Sequence, residues 1–114
     1  MPEIDAAQLH LWMETNRDFV LVDTLPPTAF AKAHLPKAIN IISDDILAQA
    51  AGALPDRNRT VVVYCASENC KRAGLSAQRL ERLGYRHVHE FTGGKRDWRA
   101  AGLPFTGTES ENGA

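Results

Sequence analysis

Only two cysteines occur in the 114 residues, Cys65 and Cys70, and both fall in one short segment. A disulfide framework of the kind that staples small secreted domains is excluded, so the pair is either chemical or incidental. Charge of one sign is also lacking: 13 basic residues stand against 14 acidic ones, mixed along the chain, for a formal net charge of -1. No basic field exists to neutralise nucleic-acid phosphates, and nucleic acid is not an expected partner. No apolar run approaches the ~20 residues that a membrane span requires, and no N-terminal stretch joins a basic start to an apolar core and a small-residue cleavage site. The expectation is a cytoplasmic protein without membrane contact. Internal repeats and an interdomain linker are missing too.

What is present has the balance of an ordinary folded domain, with 44% hydrophobic and 24% charged residues, which argues against disorder. The length suits one domain, expected over residues 1–106. The tail 107–114 (GTESENGA) lacks apolar anchors and is expected to fray.

Asp5, with Gln8 in capping-box register, opens an amphipathic helix through Leu9, Trp12 and Met13 to Asn16. Phe19 to Val22 is a short apolar run ending at Asp23, the pattern of a strand buried on both faces. Pro26 and Pro27 start a helical turn through Phe30 that Pro36 cannot continue. Ala38 to Ile42 reads as a strand, and Ser43 as the cap of a helix over Asp44 to Ala51 with Gly52 as its stop. Thr60 to Tyr64 (TVVVY) is the strongest strand signal. Arg72 to Leu83 is rich in helix formers and ends at Gly84; His87 to Phe91 is a strand, and Lys95 to Ala101 a short helix closed by Gly102. Short buried strands alternating with helices imply an α/β domain with a mainly parallel sheet covered on both faces.

The TVVVY strand delivers Cys65 at its carboxyl end, where sites form in open parallel sheets. The loop Ala66, Ser67, Glu68, Asn69, Cys70, Lys71 wraps into a helix opening at Arg72. Its backbone N–H groups can converge on the sulfur, and the helix dipole favours negative charge there. With Lys71 and Arg72 close by, the Cys65 thiol is expected to be more acidic than a free one. The plain alternative is a buried, inert cysteine. Cys70 is either a second thiol able to attack a modified Cys65 or an incidental loop residue. A metal site is not expected, because His34, His87 and His89 are scattered and no CxxC pair exists. His87 and His89 alternate about Val88, which suits a solvent-facing pair, and His10 reads as the polar face of the first helix.

Three segments resemble the single-domain rhodanese family, and together they span almost the whole chain. In VDTLPPTAFAKAHLPKAINI, Asp23, His34, Pro36, Ala38 and Asn40 match the family's first signature. VVVYCASENCKRAGLSAQRLERLGY is similar to its strand, cysteine loop and helix. In FTGGKRDWRAAGLPF, Gly93, Gly94, Trp98, Gly102 and Pro104 match the closing signature. The resemblance implies a rhodanese-like fold with a mainly parallel five-stranded sheet and helices on both faces. It implies that Cys65 forms a persulfide, that the amides of residues 66 to 71 hold the anion, and that Arg72 helps to bind it. Trp98 and the double glycine then serve packing and a tight turn, and His34 fixes a loop.

Two departures stand out. Many relatives carry an Arg and a Glu where this chain has Leu25 and Ala29, and Lys37 replaces a usual Gly. The stretch from Cys65 to Gly84 is two residues longer than in short-loop rhodaneses, which gives room for a larger anion. Relatives with enlarged loops include cell-cycle dual-specificity phosphatases and some arsenate reductases, but these place an Arg six residues after the Cys, where this chain has Lys71. The expected function is sulfur transfer through a Cys65 persulfide, from a donor such as thiosulfate or a persulfide to a thiol or cyanide, with no cofactor. The partners implied are a small sulfur-containing substrate and a thiol acceptor, small or protein. A cysteine-based reductase or phosphatase-like enzyme using Cys65 with Cys70, and a noncatalytic sulfur-carrier or interaction module, stay open. Oligomeric state is not legible.

Overall fold

The computed structural model describes residues 2–109. Its strands are β1 (Glu3–Ile4), β2 (Val20–Asp23), β3 (Ile39–Asn40), β4 (Val61–Tyr64) and β5 (Val88–Phe91). Its helices are α1 (Ala6–Glu14), α2 (Pro27–Lys32), α3 (Ile46–Ala53), α4 (Arg72–Arg82) and α5 (Gly94–Ala100), with a 3-10 turn at Ser43–Asp45 leading into α3. All pairings are parallel and the sheet order is β1-β5-β4-β2-β3. The central strand is therefore the TVVVY segment, and its neighbours β2 and β5 are the other two four-residue strands.

Side-chain alternation along β4 divides the core in two. Val61, Val63 and Cys65 face the side covered by α3 and α4, where Ile46, Ala50, Ala73, Ala77 and Leu80 pack with Val22 and Leu25. Val62 and Tyr64 face the other side, with Leu9 and Trp12 of α1, Trp98 of α5, Phe91 and Phe105. A strand buried on both faces has no polar position to spare, which is why this run is continuously apolar. Fully burying a side chain of this size contributes about 1.5–3 kcal/mol.

Asp5 caps α1 by accepting the Gln8 N–H at 2.8 Å, as the capping register implies. Four expectations shift. Ser43 does not cap α3: it sits inside the 3-10 turn with its hydroxyl donating to Asp44, and α3 begins after Asp45 without a side-chain cap. Gly52 does not stop α3, which runs through it to Ala53 and closes on the Leu54 N–H to Ala50 carbonyl bond. The strand expected over Ala38 to Ile42 pairs only at Ile39 and Asn40, against Val22 and Asp23. His89 does not simply face solvent: it is half-buried, its ring edge-on to Trp12 at 5.2 Å, and burial lowers its pKa. The fifth strand, β1, pairs with β5 through two residues, too few to leave a periodic signal.

At the other end of the described chain, His34 and Thr106 form an antiparallel bridge with two backbone bonds of 2.8 Å. The first residues of the expected tail continue this contact, since the Thr108 and Glu109 N–H groups donate to Ala31 and Lys32. Residues 110–114 lie outside the described residues.

Candidate active site

The carboxyl ends of β2 and β4 are locked together before the cysteine loop begins. Asp23, the last residue of β2, is fully buried and accepts the Tyr64 phenol at 2.7 Å and the Leu25 N–H at 2.9 Å. Tyr64 Oη in turn accepts the Leu35 N–H at 3.0 Å, and Thr24 donates through N–H and hydroxyl to the Tyr64 carbonyl. Asn40 Nδ2 donates to the carbonyls of Asp23 and Leu25. Every buried polar group named here has its partner, so the rim around Cys65 is rigid. Burial raises the Asp23 pKa, with the Tyr64 and Leu25 hydrogen bonds holding it down in part.

Cys65 follows β4 directly and is 2% exposed. The loop turns at Ser67 to Cys70, where the Cys70 N–H donates to the Ser67 carbonyl at 3.0 Å, and enters α4 at Arg72. Lys71 caps that helix without a side-chain hydrogen bond, so the first-turn donors are left for other acceptors. The Ala73 N–H, together with that of Ala66, faces the Cys65 sulfur. The Cys65 sulfur also lies 3.5 Å from the Cys70 carbonyl oxygen.

Cys70 enters the same cradle. Its sulfur is hydrogen-bonded to the Cys65 thiol and faces the N–H groups of Arg72 and Ala66. The Ala66 N–H thus serves both sulfurs. Here the expectation of an acidic Cys65 is corrected. Burial pushes the Cys65 thiol up to about 12, helped by the hydrogen bond and the charge of Cys70, and the Ala73 and Ala66 N–H groups offset only part of that rise. Cys70 is the acidic member: burial opposes its ionisation, but the Cys65 hydrogen bond, the Arg72 and Ala66 amides and the Arg72 charge outweigh it. The two thiols titrate as a linked pair, in which Cys70 gives up its proton more readily than Cys65.

The remaining loop residues divide by exposure. Ala66, Glu68, Asn69 and Lys71 are exposed, and Ser67 is half-buried. The Arg72 guanidinium reaches away from the sulfurs, donating to Ser43 Oγ at 2.8 Å and pairing with Asp44 at 3.1 Å. Its contribution to the cradle is its N–H and its charge. Leu25, where many relatives carry an Arg, is 9% exposed and packs in the same cluster as Cys65 and Ala73, with Ala29 against it. Lys37 takes the left-handed conformation of the glycine it replaces, at φ 70°.

Sequence reasoning missed the residues that hold the loop from behind. The first amides of α5, those of Lys95 and Arg96, donate to the carbonyls of Cys65 at 3.0 Å and Ala66 at 2.9 Å. Gly94, at φ 60°, faces the Cys65 carbonyl so closely that a β-carbon there would overlap it. The double glycine carried that signal but read as a turn. Lys95 is also half-buried and donates to the Ala29 carbonyl at 3.3 Å; burial lowers its pKa, and Asp23 pulls the other way.

A central cysteine presented at the end of a parallel strand, with backbone donors around its sulfur, marks an α/β domain with a candidate site at the carboxyl end of its sheet. The rhodanese-like domain model matches residues 5–101, and the chain belongs to that family, a family of sulfurtransferases. It is 36% identical over 76 residues to the thiosulfate sulfurtransferase PspE of Escherichia coli, covering 67% of this chain and 70% of that one. It is 32% identical over 110 residues to a putative thiosulfate sulfurtransferase of Synechococcus elongatus, with 80% of this chain but only 34% of that protein covered. The solution structure of a rhodanese-like domain from Anabaena sp. superposes with a TM-score of 0.86 at 25% identity, over 96% of this chain and 81% of that one. Among the described residues no helix is long and apolar enough to cross a membrane.

Proposed function

We propose that this domain moves a sulfane sulfur through a persulfide on Cys65, with thiosulfate or a related donor and a thiol or cyanide as acceptor. The observation that carries the reading is the convergence of the Ala66 and Ala73 N–H groups on the Cys65 sulfur. Such donors stabilise an anion without any metal or organic cofactor. Two free thiols in one loop suit a reducing compartment such as the cytoplasm.

The first displacement begins with Cys65 giving its proton across the hydrogen bond to Cys70. The Cys65 thiolate attacks the outer sulfur of thiosulfate, a new S–S bond forms, and sulfite leaves with the electron pair of the old one. An acceptor thiolate or cyanide then attacks the outer sulfur and returns Cys65 as thiolate. Covalent catalysis thereby divides one displacement into two. The Ala66, Ala73 and Arg72 amides are positioned to hold the charge of the donor and of the outer sulfur.

One second reading has a specific observation behind it. The hydrogen bond between the two cysteines suits a redox couple in which a peroxide first oxidises Cys65 to the sulfenic acid, and the Cys70 thiol then attacks that sulfur, forming the disulfide with loss of water. Steady-state assay with thiosulfate and cyanide decides: sulfite and thiocyanate are expected in equal amounts, with both lost in Cys65→Ser. Wild-type protein that forms neither product with any sulfane donor contradicts sulfur transfer.

A further inference from the structure

Lys95 is fixed at both ends to the two segments that wall the site. Its N–H donates to the Cys65 carbonyl at 3.0 Å, and its Nζ, carried on a flexible four-carbon stem, donates to the Ala29 carbonyl at 3.3 Å. Ala29 belongs to the first turn of α2 and packs against the cluster that contains Cys65 and Leu25. The ammonium therefore lies at the carboxyl end of the sheet, between the segment that follows β2 and the one that follows β4. Ligands of open parallel sheets enter there.

Other charges around the cysteine are engaged elsewhere. Residues 24–31 carry no ionisable side chain, so the β2 side of the site has no cation of its own. The Arg72 guanidinium is held by Ser43 and Asp44, and Lys71 lines a groove beside α4 together with Glu3, Glu68 and Glu90. The side-chain ion pairs among the described residues are His10–Glu14, Arg59–Asp18 and Arg72–Asp44, and Lys95 belongs to none of them. Asp23, whose charge it feels, already accepts the Tyr64 phenol and the Leu25 N–H. An ammonium has three donors, so two are left beyond the bond to Ala29. A half-buried cation short of counter-charge gains from binding an anion.

We infer that Lys95 recognises the sulfonate end of an anionic sulfane donor such as thiosulfate, whose outer sulfur meets Cys65. The inference rests on the proposed sulfur transfer through Cys65 and assigns the donor-binding residue and donor class to it. In the loading step the Cys65 thiolate bonds to the outer sulfur, the S–S bond of thiosulfate breaks, and its electron pair leaves on sulfite. A thiolate meeting a dianion is a like-charge encounter, and the Ala66 and Ala73 amides serve the cysteine sulfur. A cation beside the sulfonate offsets the repulsion on approach and the charge that sulfite gains as it departs. Sulfite has left before the acceptor arrives, so Lys95 acts in the first half of the reaction only.

That division supplies the test. In a double displacement, kcat/KM for thiosulfate reports the loading of Cys65 and kcat/KM for cyanide reports its unloading. Both are measured on the full chain for wild type, Lys95→Met, Lys95→Gln and Lys95→Arg, all of which keep the backbone N–H that holds the Cys65 carbonyl. Lys95→Met and Lys95→Gln are expected to lower kcat/KM for thiosulfate by about tenfold or more and to leave that for cyanide within about twofold, whereas Lys95→Arg recovers most of the loss. An equal fall in both constants shows that Lys95 only braces α2 against the loop, and overturns the inference. So does an unchanged thiosulfate constant in Lys95→Met and Lys95→Gln, or a Lys95→Arg variant no better than Lys95→Gln. Wild-type protein that transfers sulfur from glutathione persulfide but not from thiosulfate overturns it too and leaves sulfur transfer standing. No transfer from either donor defeats the inference together with the reading it rests on.

Discussion

Gly94 holds its α-carbon against the carbonyl oxygen of Cys65, in a left-handed conformation at φ 60°. The contact places the start of α5 behind the cysteine loop, so that the Lys95 and Arg96 amides can take the Cys65 and Ala66 carbonyls. Gly94→Ala adds both a backbone clash and an unfavourable φ. It is expected to lower stability by about 1–3 kcal/mol, as residues forced into sparse backbone regions do, and to slow sulfur transfer with it. Gly52→Ala is the contrasting variant: nothing lies within 4 Å of its new methyl, the site is helical, and a gain of about 0.5–1 kcal/mol is expected. Urea denaturation of both variants checks the pair.

Removing the phenol oxygen of Tyr64 leaves the Asp23 carboxylate without its 2.7 Å donor and the Leu35 N–H without its acceptor. Tyr64→Phe should cost about 1–3 kcal/mol, the usual penalty for stranding buried polar groups. The cost should also depend on pH. Burial raises the Asp23 pKa, so the folded protein binds this proton more readily than the unfolded chain. Stability from this group is therefore present at acidic pH and lost as pH rises through the raised value. The Tyr64 bond limits that loss, and the variant's deficit should be larger at neutral than at acidic pH. Denaturation of both proteins across that range measures it; a deficit that shrinks toward neutrality contradicts the assignment.

The two thiols should separate in an alkylation profile. Only the thiolate reacts, so a lowered pKa moves the reactivity of Cys70 below that of a free cysteine, about 8.5. Cys65, pushed up to about 12, should react slowly at neutral pH. Cys70→Ala removes two of the causes that raise Cys65, the hydrogen bond and the charge, and should shift the Cys65 profile to lower pH while burial persists. Iodoacetamide rates followed by peptide mass distinguish the sites. Faster alkylation of Cys65 than of Cys70 at neutral pH contradicts the pairing.

The fold was legible wherever burial imposed a period. The unbroken TVVVY run announced a strand covered on both faces, and Arg72 to Leu83 announced its helix through composition and a stop at Gly84, which adopts φ 93°. Two-residue strands such as Glu3–Ile4 leave no such trace, because their pairing is decided by the neighbouring strand. At the site, the position of Cys65 and its loop could be read from order and spacing. What could not be read was how the loop's donors divide between two sulfurs. That division depends on Cys70 turning inward, and no local pattern encodes it. Arg72 is similar: its charge was anticipated near the loop, but its guanidinium is drawn to Ser43 and Asp44, 28 to 29 residues away in sequence.

The amides of Ala66 and Ala73 matter only if Cys65 carries the sulfur. The most direct measurement is the mass of the Cys65 peptide after the protein is incubated with thiosulfate and freed of excess donor, with Cys65→Ser in parallel. The predicted result is a gain of one sulfur atom at Cys65, removed by cyanide and absent from the variant. An unchanged Cys65 mass across thiosulfate, mercaptopyruvate and glutathione persulfide is the contradicting result.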